Sequence, residues 1–335
     1  MPYRFAIVGC GHIAKKHAAE IASRGELVAV CDIVPEAAAI LASGTQASIY
    51  DDITTLLASE KVDILVVSSP NGLHPAHTIA GLKAGCHVLC EKPMAIHSAD
   101  ARAMVEVAKD TGRQLFVVKQ NRFNAPVLFV KKLLDTNQLG KIHAFQVNCF
   151  WNRPARYFSE SQWRGSLELD GGPLFTQFSH FIDLVCWWMG DVAEIIAARG
   201  GNFLHYGLID FEDTGTVVLE MENGAQGTIQ YSLNTFQKNM EGSITLFGEK
   251  GTVKIGGAYL NELTWFEVEG LNQPELESSP LPNQYGFYQG SMQNHSKVYD
   301  SVIRSIEGNG AAYMDPAEGV LSVQLIEEIY FKMRR

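Results

Sequence analysis

The apolar run Phe5-Ala6-Ile7-Val8 leads into Gly9-Cys10-Gly11-His12-Ile13-Ala14, and eighteen residues past Ala14 stands Asp32, closing a second apolar run, Leu27-Val28-Ala29-Val30-Cys31. This pattern constrains the chain to a buried strand, a tight glycine turn, a helix and a second strand that ends on an acid. The glycines let the main chain turn sharply and approach a pyrophosphate. The helix that follows offers N–H groups and a positive dipole end, and a carboxylate at this distance can bind the adenosine ribose hydroxyls. A nicotinamide or flavin dinucleotide is therefore expected, with Gly9, Gly11, His12 and Ile13 at the pyrophosphate and Asp32 at the ribose.

The remaining composition suits a globular enzyme. With 335 residues, 46% hydrophobic and 19% charged, there is material for a large core and two domains. No apolar stretch approaches a membrane span, and Met1-Pro2-Tyr3-Arg4 leads into a strand rather than a signal peptide, so a cytoplasmic protein is expected. The six cysteines lie mostly in apolar runs without a C-x-x-C pair, which fits reduced core residues and no metal. A net charge of −10 argues against nucleic-acid binding.

Strands and helices alternate up to about residue 120. Residues 62–67, 86–90 and 114–118 read as short buried strands, and 75–84 and 98–110 carry helical spacing, the second opened by a Ser98 cap. The expectation is a doubly wound parallel sheet over residues 1–121. Beyond it, residues 141–151, 208–221, 225–235, 241–247 and 250–255 read as longer strands joined by turns such as Glu222-Asn223-Gly224, with a helix from about Leu174 to Met189. That predicts an α+β domain over 122–335 built on a large open antiparallel sheet. Residues 270–285 read as an exposed loop, and two helices close the chain.

Three further segments carry a family resemblance. Ser69-Pro70-Asn71-Gly72-Leu73-His74, Glu91-Lys92-Pro93 and Asp170-Gly171-Gly172-Pro173, the last preceding His180 and Asp183, combine with the N-terminal turn to resemble the Gfo/Idh/MocA oxidoreductases over essentially the whole chain. The resemblance implies hydride transfer at a sugar or cyclitol carbon and homo-oligomers, dimers or tetramers, formed through the open sheet. It also implies that the Lys92–Pro93 bond can be cis. Asn71 and His74, with Ser69 beside them, would line the cofactor, Glu91 would sit by the nicotinamide ribose, and Trp163-Arg164 near the nicotinamide; His74 could instead cap the helix near Pro75.

Lys92, at the end of a parallel strand, can polarise a reacting hydroxyl and stabilise its growing alkoxide character. His180, with an imidazole that titrates near neutrality, is the expected proton acceptor, the reversed roles remaining open. It stands about one helical turn from Thr176 and from Asp183, so the three share a helix side. Many relatives carry an aspartate where this chain has Thr176. Asp32 repels a 2′-phosphate and neither Ile33 nor Val34 supplies a cation, so NAD is expected over NADP.

Charge points to the substrate. Residues 119–164 hold eight basic residues against two acidic ones in an acidic chain. Lys119, Arg122, Arg153, Arg156 and Arg164 are the cations of interest, interleaved with Phe150, Trp151, Tyr157 and Phe158; Tyr157, Thr176 and Gln177 join the expected substrate contacts. The sequences Lys119-Gln120-Asn121-Arg122, Phe150-Trp151-Asn152-Arg153-Pro154 and Trp163-Arg164-Gly165 are similar to the UDP-N-acetylglucosaminuronate 3-dehydrogenases, which oxidise the sugar C3 hydroxyl in surface-polysaccharide sugar biosynthesis. Two phosphates and a carboxylate would suit arginines. The alternatives are a dehydrogenase of free sugars or inositol, and a nicotinamide-binding regulator without turnover.

Overall fold

The structure, a computed structural model, describes residues 2–277, 281–310 and 314–334. The chain forms two compact units, one of residues 1–118, 168–170 and 295–323 and the other of residues 119–167, 171–294 and 324–335. The break expected after Asn121 falls after Val118. In addition, the later part of the chain returns to the first unit twice.

The first unit alternates β1 (Tyr3–Val8), α1 (His12–Ile21), β2 (Gly25–Cys31), α2 (Pro35–Ala42), β3 (Ser48–Tyr50), α3 (Ile53–Ser59), β4 (Ile64–Val67), α4 (His74–Lys83), β5 (His87–Cys90), α5 (Ser98–Thr111) and β6 (Leu115–Val117). The strands lie parallel in the order β3-β2-β1-β4-β5-β6. Helices cover both faces of such a sheet, which is why β4 is four apolar residues with no exposure at all. The order reverses between β1 and β4, where a doubly wound sheet opens its ligand crevice. Ser98 does not cap α5: the cap position is His97, and the Ser98 hydroxyl instead accepts from Arg102 Nη2 at 3.0 Å.

The second unit contains α6 (Ala125–Asp135), β7 (Ile142–Phe150), α7 (Ala155–Ser159), α8 (Pro173–Thr176), α9 (Ser179–Met189), β8 (Val192–Gly201), β9 (Thr214–Met221), β10 (Gln226–Ser232), β11 (Glu241–Gly248), β12 (Gly251–Gly256), β13 (Glu262–Val268), β14 (Pro282–Gln284) and β15 (Gln289–Met292). Seven strands form one sheet, β13-β12-β11-β7-β10-β9-β8, antiparallel except for the parallel pair β7–β10. Residues alternate between buried and more open positions along β9 and β10, so one face packs on a core and the other stays open. Trp151 packs on Phe178, Phe181 and Tyr259 in that core. Two closing helices follow, α10 (His295–Ile306) and α11 (Pro316–Met333).

The single helix expected over 174–189 is two. Gln177 and Phe178 both donate their N–H groups to Pro173 O, and a new ladder starts from Phe178 O, which accepts from Phe181 and Ile182. Thr176 and His180 therefore do not share one continuous helix side. The strand expected from 208 begins only at Thr214, because Asp213 Oδ2 turns the preceding loop by accepting from the N–H groups of Phe203, Leu204 and His205. Within the expected loop 270–285, residues 270–277 are mostly exposed, β14 takes up its end, and 278–280 lie outside the described residues.

Candidate active site

The glycine turn lies at the reversal point of the parallel sheet. Gly9 has φ +87°, and a Cβ there would stand 2.4 Å from the main-chain nitrogen of Ser69, so only glycine lets the ends of β1 and β4 approach so closely. A Cβ at Gly11 would meet nothing within 4 Å. No side chain caps α1 at Gly11 and no acid stands in its first turn; His12 is exposed and Ile13 half-buried. That end of α1 has the room and polarity for a pyrophosphate. Asp32 is fixed by two main-chain donors, Cys10 N to Oδ2 at 2.6 Å and Val34 N to Oδ1 at 2.8 Å. Exposed Ile33 and Val34 follow it, so a 2′-phosphate would find no cation in these neighbours.

Two loops continue this crevice. After β4, the Ser69 hydroxyl bonds His77 Nδ1 at 2.8 Å, and Asn71 Nδ2 donates to Asp170 O at 2.8 Å, holding the returning segment 168–170. His74, 1% exposed, has its ring nitrogens 2.8 Å from Ser69 O and 2.7 Å from Pro93 O. It is the first residue of α4, whose cap position is Leu73, and its two ring nitrogens both face carbonyls, tying the β4 loop to the β5 loop. Burial pulls its pKa below the usual imidazole value, against the two carbonyl contacts, which favour N–H groups on the ring. The Lys92–Pro93 bond is cis, and half-buried Lys92 donates its main-chain N–H to Glu91 Oε2 at 3.1 Å. The remaining Glu91 oxygen faces His17 and His295, so its carboxylate is turned to the protein interior rather than offered to a ribose.

In the second unit, His180 is 3% exposed and its Nε2 lies 3.5 Å from Gln120 Nε2, which also donates to Ser291 Oγ at 2.8 Å. One turn on, Asp183 accepts from Arg122 Nε and Nη2, each at 2.9 Å, and from Lys119 Nζ at 3.1 Å. Both cations are 3% exposed. The expectation that Lys119 and Arg122 serve a substrate anion is thereby corrected. Their counter-ion, Asp183, lies outside residues 119–164 and engages both cations internally.

Arg153 differs. It is 4% exposed, its Nη1 donates to Asn152 O at 2.7 Å, its Nη2 lies 3.4 Å from Gln289 O, and its Nε has no hydrogen-bond partner. Trp151, Tyr157 and Tyr288 surround its Cζ at 5.2, 5.3 and 5.2 Å from their ring centres. Arg156 is exposed and stacks on Phe287 with Cζ at 3.7 Å. Together with His205, Asn234, Phe236 and Phe287, the two arginines line a cavity of about 440 Å³. Arg164 Nη2 reaches Tyr288 Oη at 3.1 Å and its Cζ lies 4.1 Å over Tyr157, whose hydroxyl accepts from Gln177 Nε2 at 3.1 Å. Trp163 and Thr176 are half-buried.

Residues 3–119 match the oxidoreductase family with an NAD-binding Rossmann fold, and residues 127–254 match the GFO/IDH/MocA C-terminal domain. The chain belongs to the Gfo/Idh/MocA oxidoreductase family. It is similar to the WlbA dehydrogenase of Bordetella pertussis, solved with NADH and UDP-GlcNAcA: 37% identity, 100% of this chain and 97% of that one, TM-score 0.88. The WlbA dehydrogenase of Chromobacterium violaceum, solved with the same ligands, matches at 36% identity over 99% and 94%, with a TM-score of 0.89. By sequence, the D-glucoside 3-dehydrogenase of Escherichia coli is 26% identical over 98% of this chain and 95% of its own. The protein is an NAD-binding sugar oxidoreductase. No helix among the described residues is long and apolar enough to cross a membrane.

For this Gfo/Idh/MocA chain, sequence reasoning missed Asp183 as a counter-ion and the histidines behind Glu91. His17 had a visible signal: it falls with Ala14 and Ile21 on the buried stripe of α1, a polar residue where the helix wants an apolar one. Tyr288 and Gln289, which complete the surroundings of Arg153, lie more than 130 residues away and left no local sign.

Proposed function

We propose that the protein oxidises the C3 hydroxyl of a nucleotide-activated sugar acid of the UDP-N-acetylglucosaminuronate type, in the making of surface-polysaccharide sugars. The observation that carries this reading is Arg153, a buried guanidinium with no carboxylate partner among the described residues and an unbonded Nε beside an arginine-lined cavity. A buried cation held only by carbonyls and rings is costly without an anion, and a phosphate or carboxylate supplies one. The two WlbA likenesses, each described with UDP-GlcNAcA, point the same way. Bound NAD supplies the hydride acceptor. Lys92 hydrogen-bonds the reacting oxygen and stabilises its negative charge, while His180 accepts the hydroxyl proton. Association of copies through the open sheet face, and a place in the cytoplasm in keeping with six free cysteines, belong to the same proposal.

The test follows reduced-nicotinamide absorbance during incubation with NAD and a panel of UDP-sugar acids, neutral UDP-sugars, free glycosides and inositol. Turnover is expected with the UDP-sugar acid above the others, and loss of about 10²-fold or more in Lys92→Ala and His180→Ala. Good turnover of free glycosides with indifference to UDP moves the assignment to the second reading, a glycoside 3-dehydrogenase, which the Escherichia coli relative favours. Absence of turnover on every member would leave a nicotinamide-binding regulator.

A further inference from the structure

Behind Lys92 lies a closed set of polar side chains in the core of the first unit. Glu91 is 6% exposed, His17 0%, His295 1% and Tyr299 0%. His17 Nε2 stands 3.0 Å from Glu91 Oε1, and its Nδ1 stands 2.9 Å from Tyr299 Oη. One proton arrangement satisfies both contacts: the Tyr299 hydroxyl donates to Nδ1, and Nε2–H donates to the carboxylate. His295, one turn before Tyr299 on α10, brings its Nε2 to 3.5 Å from the same Oε1 without a hydrogen bond at either ring nitrogen. Its ring meets His17 edge-on with centres 5.5 Å apart. Burial alone would raise the Glu91 carboxyl, but the contacts from His17 and His295 outweigh it and hold the group well below the usual range. The other oxygen, Oε2, accepts the main-chain N–H of Lys92.

We propose that His17 and His295 are positioning residues for Lys92, acting through the Glu91 carboxylate. The inference rests on the reading of Lys92 as the group at the reacting oxygen. A carboxylate gripped on one oxygen by α1 and approached by α10 has little rotational freedom, so its second oxygen sets where the Lys92 peptide sits. The same helix that offers its N-terminus to the pyrophosphate carries His17 in its second turn. Cofactor seating and Lys92 placement thus share one rigid element. The three ligand atoms also lie within 4.8 Å of one another, a spacing a divalent ion could use. Against an ion stands the contact at 3.0 Å between His17 Nε2 and Glu91 Oε1, a hydrogen-bond distance at which a proton, not a metal, joins the two atoms.

The experiment compares wild type with His17→Leu, His17→Gln and Tyr299→Phe on the sugar that wild type oxidises, with Lys92→Ala as reference. Small misplacement of a reacting group costs rate rather than binding, so His17→Leu should lose about 10- to 100-fold in kcat. Its KM for sugar and Kd for NAD should stay within about threefold. His17→Gln keeps an N–H at the Nε2 position and should recover most of the loss; Tyr299→Phe, which preserves the ring packing, should lose about 2- to 10-fold. Equal behaviour of the Gln and Leu variants, or parallel changes in kcat, KM and Kd, would overturn the positioning role, as would stoichiometric metal in the purified protein whose chelation abolishes turnover. Should His17→Leu fail to fold, the Gln and Tyr299→Phe variants carry the same test. A Lys92→Ala enzyme with wild-type kcat would instead defeat the reading of Lys92 itself. Loss in Lys92→Ala with none in the His17 and Tyr299 variants defeats the positioning proposal alone.

Discussion

Arg122 and Arg153 are buried almost equally, at 3% and 4% exposure, yet they are satisfied in opposite ways. Arg122 grips both oxygens of Asp183, with Lys119 on the same carboxylate and the Trp187 ring 4.6 Å from its Cζ. Arg153 finds only neutral oxygens and aromatic faces. A buried cation that meets its carboxylate inside the protein fixes the fold. One left among dipoles and rings remains electrically incomplete and suits an incoming anion. On the proposed function, this difference separates a structural arginine from a ligand-binding one where burial alone cannot.

The largest effect expected is on the saturated side of this comparison. Asp183→Asn leaves two buried cations without their counter-charge and should lower unfolding stability by about 3–5 kcal/mol, read from denaturant melts. Burial would raise the Asp183 carboxyl, but Arg122 and Lys119 hold it well below its ordinary value. A carboxylate depressed in the folded state contributes stability that is fully present above the unfolded value of about 3.9 and is lost as pH falls toward the folded one. Wild type should therefore weaken steadily as pH drops below about 4, and Asp183→Asn should show a flatter acid limb. An unchanged limb would mean that the pair does not carry this dependence.

Arg153→Met should behave differently. Its folding stability should fall much less than that of Asp183→Asn, while a UDP-sugar acid should bind about 30-fold more weakly, near 2 kcal/mol for a lost charged hydrogen bond. Titration calorimetry with the acid and its neutral analogue reads the difference, which should be larger for the acid. If Arg153→Met destabilises the fold as severely as Asp183→Asn, the contrast collapses and Arg153 is structural too. The smallest effect belongs to Arg156→Ala. This arginine is exposed, so its help should be about threefold in affinity at low salt and should vanish as ionic strength rises. Salt-independent loss would show that the stack on Phe287, not the charge, is what the ligand uses.

The parts of the molecule legible in the sequence are those whose physics is local. Gly9, Gly11 and Asp32 act within one strand–helix–strand unit, and the fully apolar β4 announces its burial by composition. In the seven-stranded sheet the strands that escaped, β8 and β13, are its two edges; the three-residue β3, at an edge of the parallel sheet, and the short pair β14–β15 escaped as well. Edge strands bury few side chains, and the irregular burial along β8 and β13 leaves no clean period-two signal. The break near Gln177 is hidden because the flanking Phe175, Phe178 and Phe181 are all buried, so apolarity runs through it. Lys119 and Arg122 misled for a related reason. Their partner Asp183 lies 61 residues beyond Arg122, and charge counted over a window takes no account of a counter-ion from outside it.

The return of α10 to the first unit bears on how the protein is made. Tyr299 packs on Phe5 with ring centres 6.1 Å apart and bonds His17, 282 residues earlier in the chain. At about 5–20 residues per second, a ribosome that has finished β6 needs roughly 10–35 s more before that tyrosine exists. During that interval Phe5 on β1 and His17 on α1 stand without their cover. Synthesis and folding therefore run out of step, and the segment translated near the end completes the unit translated first.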